Sequence, residues 1–335
     1  MQELDQRDRE LLTALQAEIP LVSTPYAFIG QSLDMSEKEV IKRTERLRRE
    51  GVIRHLGVQF DPRGLGYRSS LVAARVPADR VDEAAAAINT HPGVTQNYLR
   101  NNELNLWFTL FVSPLSNLGV DGTIDILGRL AECDDVRPLP TLRLYKSSVG
   151  DVDPDAVPKD LAPLTPFEIE CVRLLQRELP LQPRPFDSLA RATSVSGDEL
   201  LATARSMKAQ GRIRRITATV PPRKGFTATA MGLWVVPEDR VDEYAQQIVR
   251  NRAVSHCYLR PVYENWPYNL YTTVHGRSVD ECESIINDIA IDTGLTEKRA
   301  LYPTRELKKA RMTFFASDEA EWESGQAEGR VIAAG

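Results

Sequence analysis

The sequence predicts an α+β protein, a tandem repeat of a winged helix-turn-helix domain and a ferredoxin-like βαββαβ domain that folds as an internal pseudo-dimer. Three observations predict this fold. Most features of residues 15–100 recur 160 positions later, as in Val-Pro-x-Asp-Arg-Val-Asp-Glu at 76–83 and 236–243. Each copy begins with helical apolar spacing and continues with alternating strands and helices. A duplicated chain can pair its two copies with each other.

The first part of each copy is predicted to hold three helices and a β-hairpin. The first copy has three helical groups of apolar residues: Leu11, Leu12 and Leu15; Ile29 and Leu33; Val40, Ile41 and Leu47. Ser36 is a predicted N-cap of the third helix, and Gly51 is its predicted left-handed end. Residues 52–58 then alternate like a strand, and a return strand runs from 67 to 76, which completes a wing. The second copy repeats the pattern, with its helix end at Gly211.

The rest of each copy alternates as a ferredoxin-like domain does. In the first copy the predicted strand, helix, strand, strand, helix and strand are 69–76, 79–90, 94–100, 105–112, 121–132 and 137–146. In the strand 254–260 a period of two places His256, Tyr258 and Arg260 on one face, and Cys257 and Leu259 on the other. The helices are expected on the apolar face. The polar face is expected to meet its counterpart of Gln96, Tyr98 and Arg100, so that the two faces enclose a lined cavity.

These patterns set the predicted domain boundaries. The winged helix-turn-helix domains are 1–64 and 164–223, the ferredoxin-like domains are 65–149 and 224–314, and a linker spans 150–163. The linker prediction rests on closely spaced prolines and aspartates, which favour neither a strand nor a helix. The acidic segment 315–335 is poor in apolar residues and is predicted to be disordered.

Composition restricts the class of protein. A chain of 335 residues with 42% hydrophobic residues can form several small domains with proper cores. No apolar run is long enough to cross a bilayer, so a soluble, cytoplasmic protein without a membrane partner is expected. The four cysteines are not closely spaced, and neither a metal site nor a disulfide framework is predicted. A net charge of −5 does not favour nucleic acid as the main partner.

Two pairs of motifs resemble a known family. HPGVTQNYLR at 91–100 with NLWFTL at 105–110, and VSHCYLRP at 254–261 with WPYNLYTTVH at 266–275, look like the siroheme decarboxylases. That family is similar in architecture to the Lrp/AsnC regulators and has a fused two-subunit form. The resemblance covers about residues 5–312 and includes both copies in order.

The resemblance implies a carboxy-lyase. Such an enzyme removes the carboxyl groups of two acetate side chains, on rings C and D of siroheme, and gives 12,18-didecarboxysiroheme and two molecules of carbon dioxide. The implied pathway is d1-type heme synthesis or the alternative heme route. No organic cofactor is expected, because the iron belongs to the siroheme substrate. Further homodimerisation and hand-over to other tetrapyrrole enzymes are left open.

Histidine is the first candidate for the catalytic acid. His256 has a side chain whose usual pKa lies near neutrality, so it is predicted to donate the proton, with Tyr258 and Arg260 on the same face. His275, in the neighbouring strand, is the second candidate. Many members of the family that the chain resembles have histidine where this chain has Gln96, which suggests one competent site, in the second copy. A histidine hydrogen-bonded at a domain interface is the structural alternative.

Arginines and aromatic residues are the predicted substrate contacts. The predicted carboxylate contacts are Arg100, Arg260 and the wing arginines Arg54, Arg212, Arg214 and Arg215. Solvated surface charge is the alternative for the wing. The predicted macrocycle contacts are Tyr258, Trp266, Tyr268 and Tyr271. Gln96 and Tyr98 are predicted substrate-binding residues of the first copy, with interface packing as the alternative for Tyr98. Residues 266–269 lie in a four-residue insertion that would form a lid, and a packed aromatic cluster is the alternative.

A transcription regulator of Lrp/AsnC type, able to sense a tetrapyrrole, is the alternative function. Its support is a helix at 37–49 with six basic residues. The same helix also contains three glutamates, and the equivalent helix at 198–210 has only Arg205 and Lys208. Two unlike helices suit a palindromic operator poorly, so DNA binding is not expected.

Overall fold

The computed structural model describes residues 4–147, 161–221 and 228–327, which form two compact units. The helical unit takes its described residues from Met1–Gly66, Val157–Pro222 and Thr313–Ala316. The sheet unit takes its described residues from Tyr67–Ala156, Arg223–Met312 and Ser317–Gly335. Each unit contains one domain from each copy, which confirms the predicted internal pseudo-dimer.

The two copies contain the same elements in the same order, and the second is followed by one more helix, α11. The first copy contains α1 (Gln6–Ala17), α2 (Pro25–Ser32), α3 (Glu37–Arg49), β1 (His55–Phe60), β2 (Arg68–Arg75), α4 (Val81–Asn89), β3 (Val94–Arg100), β4 (Leu106–Val112), α5 (Gly119–Leu130), β5 (Asp135–Leu139) and β6 (Arg143–Lys146). The second contains α6 (Pro166–Leu175), α7 (Pro185–Ala190), α8 (Gly197–Ala209), β7 (Ile213–Thr219), β8 (Ala228–Trp234), α9 (Val241–Ile248), β9 (Val254–Leu259), β10 (Leu270–Gly276), α10 (Val279–Thr293), β11 (Lys298–Leu301), β12 (Pro303–Lys309) and α11 (Asp318–Ala327).

The predicted ends of the third helices are confirmed. The Ser36 hydroxyl accepts a hydrogen bond from the Glu39 backbone N–H at 3.2 Å, and Ser196 caps α8 in the same way. Such a bond satisfies one of the amides that a helix start leaves unpaired. Gly51 and Gly211 both have φ of +74°, the left-handed conformation that glycine adopts without steric cost.

The predicted wing hairpin within each copy is wrong. β1 pairs antiparallel with β7 of the other copy, from His55 opposite Thr219 to Phe60 opposite Ile213. The predicted return strand is β2, which belongs to the sheet unit. Because β1 is then without a partner from its own copy, the equivalent strand of the second copy satisfies its backbone groups.

The sheet unit contains two antiparallel five-stranded sheets with the predicted ferredoxin-like order. Their strand orders are β12-β3-β4-β2-β5 and β11-β8-β10-β9-β6. In each sheet, four strands come from one copy and the edge strand comes from the other. β12 pairs with β3, and β6 pairs with β9. The two copies therefore exchange their last strands.

The predicted single strand at 137–146 is two strands. β5 ends at Leu139, and β6 begins at Arg143 in the other sheet. Pro140 follows β5 directly, and proline has no N–H to continue a ladder. The chain therefore crosses between the sheets at this point.

Three cores hold the sheet unit together. One lies between the first sheet and α4 and α5, and a second lies between the second sheet and α9 and α10. A third cluster, between the two sheets, consists of Ala73, Leu104, Trp107, Leu139, Leu233, Trp266, Tyr268, Tyr271 and Leu301, with Tyr258 packed against it. Both sheets contribute residues to this cluster, so they pack face to face through apolar and aromatic side chains. The cavity predicted between the faces of His256 and Gln96 stays a prediction.

The prediction of a disordered tail is wrong for its described residues. Residues 318–327 form α11, in which Trp322 is 2% exposed and packs into the core of the first sheet. Glu319 accepts a hydrogen bond from the Ser113 backbone N–H at 2.9 Å. The low apolar content of this segment predicted disorder. One buried tryptophan, however, removes a large apolar area from water and holds the helix in place. The rest of the predicted tail, 328–335, and most of the predicted linker, 150–160, lie outside the described residues.

Across the described ranges, no helix is both long and apolar enough to span a membrane.

Candidate active site

A β-bulge in β9 shapes the region around His256. Val254 lies opposite Val274, and His256 lies opposite Thr273, so Ser255 is one extra residue in its strand. A bulge changes the direction of nearby side chains. Ser255 and His256 therefore do not alternate between the two faces as in a regular strand, and the Ser255 hydroxyl lies within hydrogen-bond distance of both His256 and His275.

Four side chains form a continuous chain of hydrogen bonds. The Ser255 hydroxyl lies 2.9 Å from Nδ1 of His256 and 2.8 Å from Nε2 of His275. The hydroxyl of Thr229, on β8, lies 3.0 Å from Nδ1 of His275. Thr229 is exposed, whereas both histidines are half-buried. The chain of hydrogen bonds thus runs from a solvent-exposed hydroxyl to the imidazole of His256.

Both histidines are less basic than usual. Burial lowers the pKa of His256, and the nearby charge of a protonated His275 lowers it further. Burial also lowers the pKa of His275. An unperturbed histidine would carry a proton part of the time near neutral pH, whereas the lowered pKa of these two favours neutral imidazoles there.

Tyr258 and Arg260 continue the face on which His256 lies. The rings of His256 and Tyr258 are stacked, with centroids 5.9 Å apart and planes 15° apart. The guanidinium of Arg260 lies 4.9 Å from the centroid of the Tyr258 ring. The predicted set of three side chains on one face is therefore present. Cys257, on the opposite face, is buried in the helix-side core as predicted.

Arg260 is buried at the crossing between the two sheets. It is 8% exposed and donates a hydrogen bond through an Nη atom to the Leu139 carbonyl, at the end of β5. Burial lowers its pKa to about 10. This arginine is thus a structural contact between the copies as well as a cation near the candidate site.

Arg100 is the counterpart of Arg260 in the first copy. It donates to the Leu301 carbonyl, at the end of β11, at 3.3 Å, and burial lowers its pKa to about 10. Its guanidinium lies 5.7 Å from the Tyr98 ring and 5.9 Å from the Trp107 ring. The two arginines therefore make equivalent contacts on the two sides of the sheet unit.

The first copy has the same backbone but different chemistry at this position. β3 has a bulge at the equivalent point, where Val94 lies opposite Leu110 and Gln96 lies opposite Thr109. Thr95, Gln96 and Phe111 take the positions of Ser255, His256 and His275. Neither imidazole is present there, so the pair of neighbouring histidines is a feature of the second copy.

The wing arginines lie in the helical unit. Arg212 donates to the Gly64 and Ala162 carbonyls, Arg214 donates to Asp61, and Arg215 donates to Gln59. Arg54 is exposed. Three of the four are therefore engaged inside their own unit, where they stabilise the β1–β7 region.

The predicted lid residues are packed. Trp266 is 4% exposed, Tyr268 is 8% exposed, and both belong to the cluster between the sheets. The Trp266 indole N–H donates to the Tyr271 hydroxyl at 2.7 Å. Trp266 and Tyr268 therefore belong to the packed aromatic cluster that the sequence left open as the alternative to a lid.

Comparison with known proteins identifies the family. A family model described as the siroheme decarboxylase NirDL-like HTH domain matches residues 8–54 and 168–214, and an AsnC-like ligand binding domain matches 64–146 and 223–308. A siroheme decarboxylase of Hydrogenobacter thermophilus is 34% identical over 93% of this chain and 96% of its own. The chain belongs to the siroheme decarboxylase family. A siroheme decarboxylase NirDL subunit of Paracoccus denitrificans is 32% identical over 90% of this chain and 95% of its own.

Solved structures of this family have the same fold. A crystal structure of the siroheme decarboxylase NirDL has a TM-score of 0.84 and 32% identity, and covers 97% of this chain and 99% of its own. A second NirDL structure, in complex with an iron-uroporphyrin III analogue, matches equally well. The similarity extends across both copies.

Ser255 and Thr229 are the parts of this family member's site that sequence reasoning missed. Strict alternation along the strand predicts that Ser255 faces away from His256. The bulge in β9 changes this orientation, and no residue type in the sequence predicts the bulge. Thr229 is placed beside His275 only by the pairing of β8 with β10. Over the described part of the chain, no group of three or more His, Cys, Asp or Glu side chains could hold a metal ion.

Proposed function

We propose that the chain is a siroheme decarboxylase that acts on two acetate side chains, on rings C and D, and yields 12,18-didecarboxysiroheme and two molecules of carbon dioxide. The observation that carries the proposal is the match, at a TM-score of 0.84, to a NirDL structure that contains an iron-uroporphyrin III analogue. The siroheme decarboxylase of Hydrogenobacter thermophilus, which this chain matches over 96% of its length, supports it. The second-copy histidines supply the acid-base chemistry that such a reaction needs.

The reaction requires an electron acceptor and a proton. When the bond between the acetate methylene and its carboxylate breaks, the electron pair passes to the methylene carbon and into the attached pyrrole. The carbon then takes a proton and becomes a methyl group. The macrocycle itself accepts the electrons, so we propose that the chain adds no organic cofactor and that the iron arrives with the substrate.

His256 is the proposed proton donor, through Nε2. Its Nδ1 is occupied by Ser255, and Nε2 makes no hydrogen bond to the described residues. A general acid positioned in this way contributes about 10² to 10⁴ in rate. Arg260 and Tyr258 lie beside it, and the buried positive charge of Arg260 favours the binding of anionic side chains.

The regulator alternative is not favoured by the surface of the helix-turn-helix domains. Arg43 and Arg46, on α3, bind the buried carboxylate of Asp8. On α8, Arg205 donates to the Leu21 carbonyl and Lys208 pairs with Glu18. Basic residues that are held by the protein's own groups contribute less to phosphate binding. A salt-sensitive gel shift with genomic DNA would instead support function as a transcription regulator.

The decisive experiment is an anaerobic incubation of the full chain with siroheme. The products are analysed by mass spectrometry, and binding is followed separately from the heme absorbance. The loss of two carboxyl groups as carbon dioxide is the expected result. Binding without any change in mass would replace the proposal by a tetrapyrrole carrier or sensor.

A further inference from the structure

Ser255 lies between two imidazoles, and its hydroxyl proton has three neighbouring acceptors: the two imidazoles and the Thr273 carbonyl, 3.3 Å away. Its oxygen is within hydrogen-bond distance of His256 Nδ1, at 2.9 Å, and of His275 Nε2, at 2.8 Å. A serine hydroxyl has one proton to donate and two lone pairs that accept. The contact with the Thr273 carbonyl is the longest of the three, and with the proton there the oxygen could accept from both imidazoles. With the proton on the shorter path to one imidazole, the hydroxyl accepts from the other. The direction of one bond therefore fixes the direction of the next.

The same reasoning extends to the surface. A neutral imidazole has one N–H and one acceptor nitrogen. If His275 donates from Nε2 to Ser255, its Nδ1 accepts from the hydroxyl of Thr229, 3.0 Å away. Thr229 is exposed, so water can replace its proton. One orientation of the whole chain then runs from solvent, through Thr229, His275 and Ser255, to Nδ1 of His256.

A neutral His256 needs such a supply. Once a neutral imidazole gives away its only N–H proton, it is left as a costly anion, unless its other nitrogen gains a proton at the same time. The structure favours the neutral form, because burial lowers the pKa of both histidines. Among the described residues, Ser255 is the hydrogen-bond partner of His256 Nδ1.

We propose that Ser255 relays a proton from His275 to His256, with Thr229 as the point where the proton enters from solvent. The proposal rests on the decarboxylase function only for the identity of the final acceptor. His256 Nε2 gives its proton to the methylene carbon that has lost carbon dioxide. His256 Nδ1 takes the Ser255 proton, Ser255 takes the His275 Nε2 proton, His275 Nδ1 takes the Thr229 proton, and Thr229 takes one from water. One proton enters for each carboxylate lost.

The first copy provides a natural comparison. Thr95 keeps a hydroxyl at the position of Ser255, but Gln96 and Phe111 replace the two imidazoles. A relay through imidazoles is therefore restricted to the second copy. The same comparison shows that a threonine fits this bulge, so Ser255→Thr is a matched variant that retains the hydroxyl.

In the described part of the chain, three titratable side chains on the strand of His256 or its neighbours bear on its pH response. β10 presents His275, whose charge lowers the pKa of His256. On β6, Lys146 lies opposite Cys257, and its ammonium donates to the Val249 and Asn251 carbonyls. Tyr258 stacks on the imidazole from its own strand. The pH response of the site is thus expected to follow the two histidines.

The test compares Ser255→Ala, Ser255→Thr and the wild type over a range of pH, with siroheme as substrate. Without the relay, His256 can still donate when it is already an imidazolium. Ser255→Ala is therefore expected to lose about 10- to 100-fold in kcat above neutral pH, with KM unchanged, and to recover toward the wild-type rate as the pH falls below the pKa of His256. Ser255→Thr is expected to remain within about threefold at every pH. A loss that is equal at all pH values, or one shared by Ser255→Thr, would overturn the relay.

A measurement without turnover separates the relay from the proposed function. Imidazole ¹⁵N spectra of the free protein report the protonation of each nitrogen. Ser255→Ala is expected to shift His256 Nδ1 and His275 Nε2 together, and unchanged spectra would refute the relay even in an active enzyme. Should Ser255→Ala fail to fold, Thr229→Val tests the exposed end, and its kcat is expected to fall above neutral pH. A wild-type rate in Thr229→Val would contradict the proposed point of proton intake.

Discussion

Trp322 packs edge-on against His91, with ring centroids 4.6 Å apart and planes 77° apart. The Trp322 indole N–H also donates to the Thr90 hydroxyl at 3.0 Å. These contacts join α11, the last described helix, to the core of the first sheet. The acidic C-terminal segment is therefore part of the folded sheet unit, and its removal should destabilise that unit.

Replacement of Trp322 should destabilise the protein. Trp322→Ala removes a side chain that is 2% exposed, and it is expected to lower the free energy of unfolding by about 3 to 5 kcal/mol. Urea denaturation followed by circular dichroism measures the change. Glu321→Ala, at the exposed neighbouring position, is the control and should stay within about 0.5 kcal/mol. Equal stability of the two variants would place Trp322 outside the core.

His91 should make the fold sensitive to mild acid. It is fully buried, its Nδ1 accepts from the Gly93 N–H at 3.0 Å, and burial, with a smaller effect of Lys308, lowers its pKa to about 3. The unfolded chain titrates near the usual pKa of about 6.5 and binds more protons below it. The contribution of His91 to the free energy of unfolding should therefore be fully present above about pH 6.5. It should decrease toward pH 3, by up to about 1.4 kcal/mol per pH unit.

Denaturation of His91→Gln at several pH values isolates this contribution. The variant should lose less stability than the wild type between about pH 6.5 and 5. His256 and His275, whose pKa values are also lowered, supply the slope that the variant retains. The same slope in both proteins would show that His91 is not responsible.

Arg260 should matter for stability as well as for ligand binding. In Arg260→Gln the Leu139 carbonyl loses its charged donor, and the free energy of unfolding is expected to fall by about 1 to 3 kcal/mol. Arg100→Gln, which removes the equivalent bond to Leu301, should fall by a similar amount. Thermal unfolding measures both. If Arg260→Gln kept full stability and lost only siroheme affinity, Arg260 would be a ligand contact alone.

Restoration of a histidine in the first copy should not create a second site. Gln96→His adds an imidazole, but Thr95 lies beside Phe111 there and not beside a second histidine. The decarboxylation rate of Gln96→His should therefore stay within about twofold of the wild type, well below the effect of a complete general acid. A several-fold gain in rate would show that one imidazole is enough for function in the first copy.

The sequence predicted the helices and the order of the ferredoxin-like strands, because apolar spacing, Ser36 and Gly51 act locally. It did not predict that β1 pairs with β7, or that β6 and β12 change sheets. Equivalent strands of the two copies have nearly the same local pattern, so pairing within a copy and pairing between copies look alike in the sequence.

The site was predictable only in part. The alternation in β9 placed His256, Tyr258 and Arg260 correctly on one face. The bulge at Ser255 and the burial of Trp266 and Tyr268 depend on tertiary contacts that have no local signal. The pKa values of the histidines also depend on burial, which the sequence does not show.

The most direct test of the account compares His256→Gln with the wild type in a single-turnover incubation with siroheme, quenched over time and analysed by mass spectrometry. Glutamine is the residue that the first copy already has at this position. The variant is expected to bind siroheme normally and to release carbon dioxide from it about 10² to 10⁴ times more slowly than the wild type. A variant that removed both carboxyl groups at the wild-type rate would contradict the assignment of the acid to the second copy.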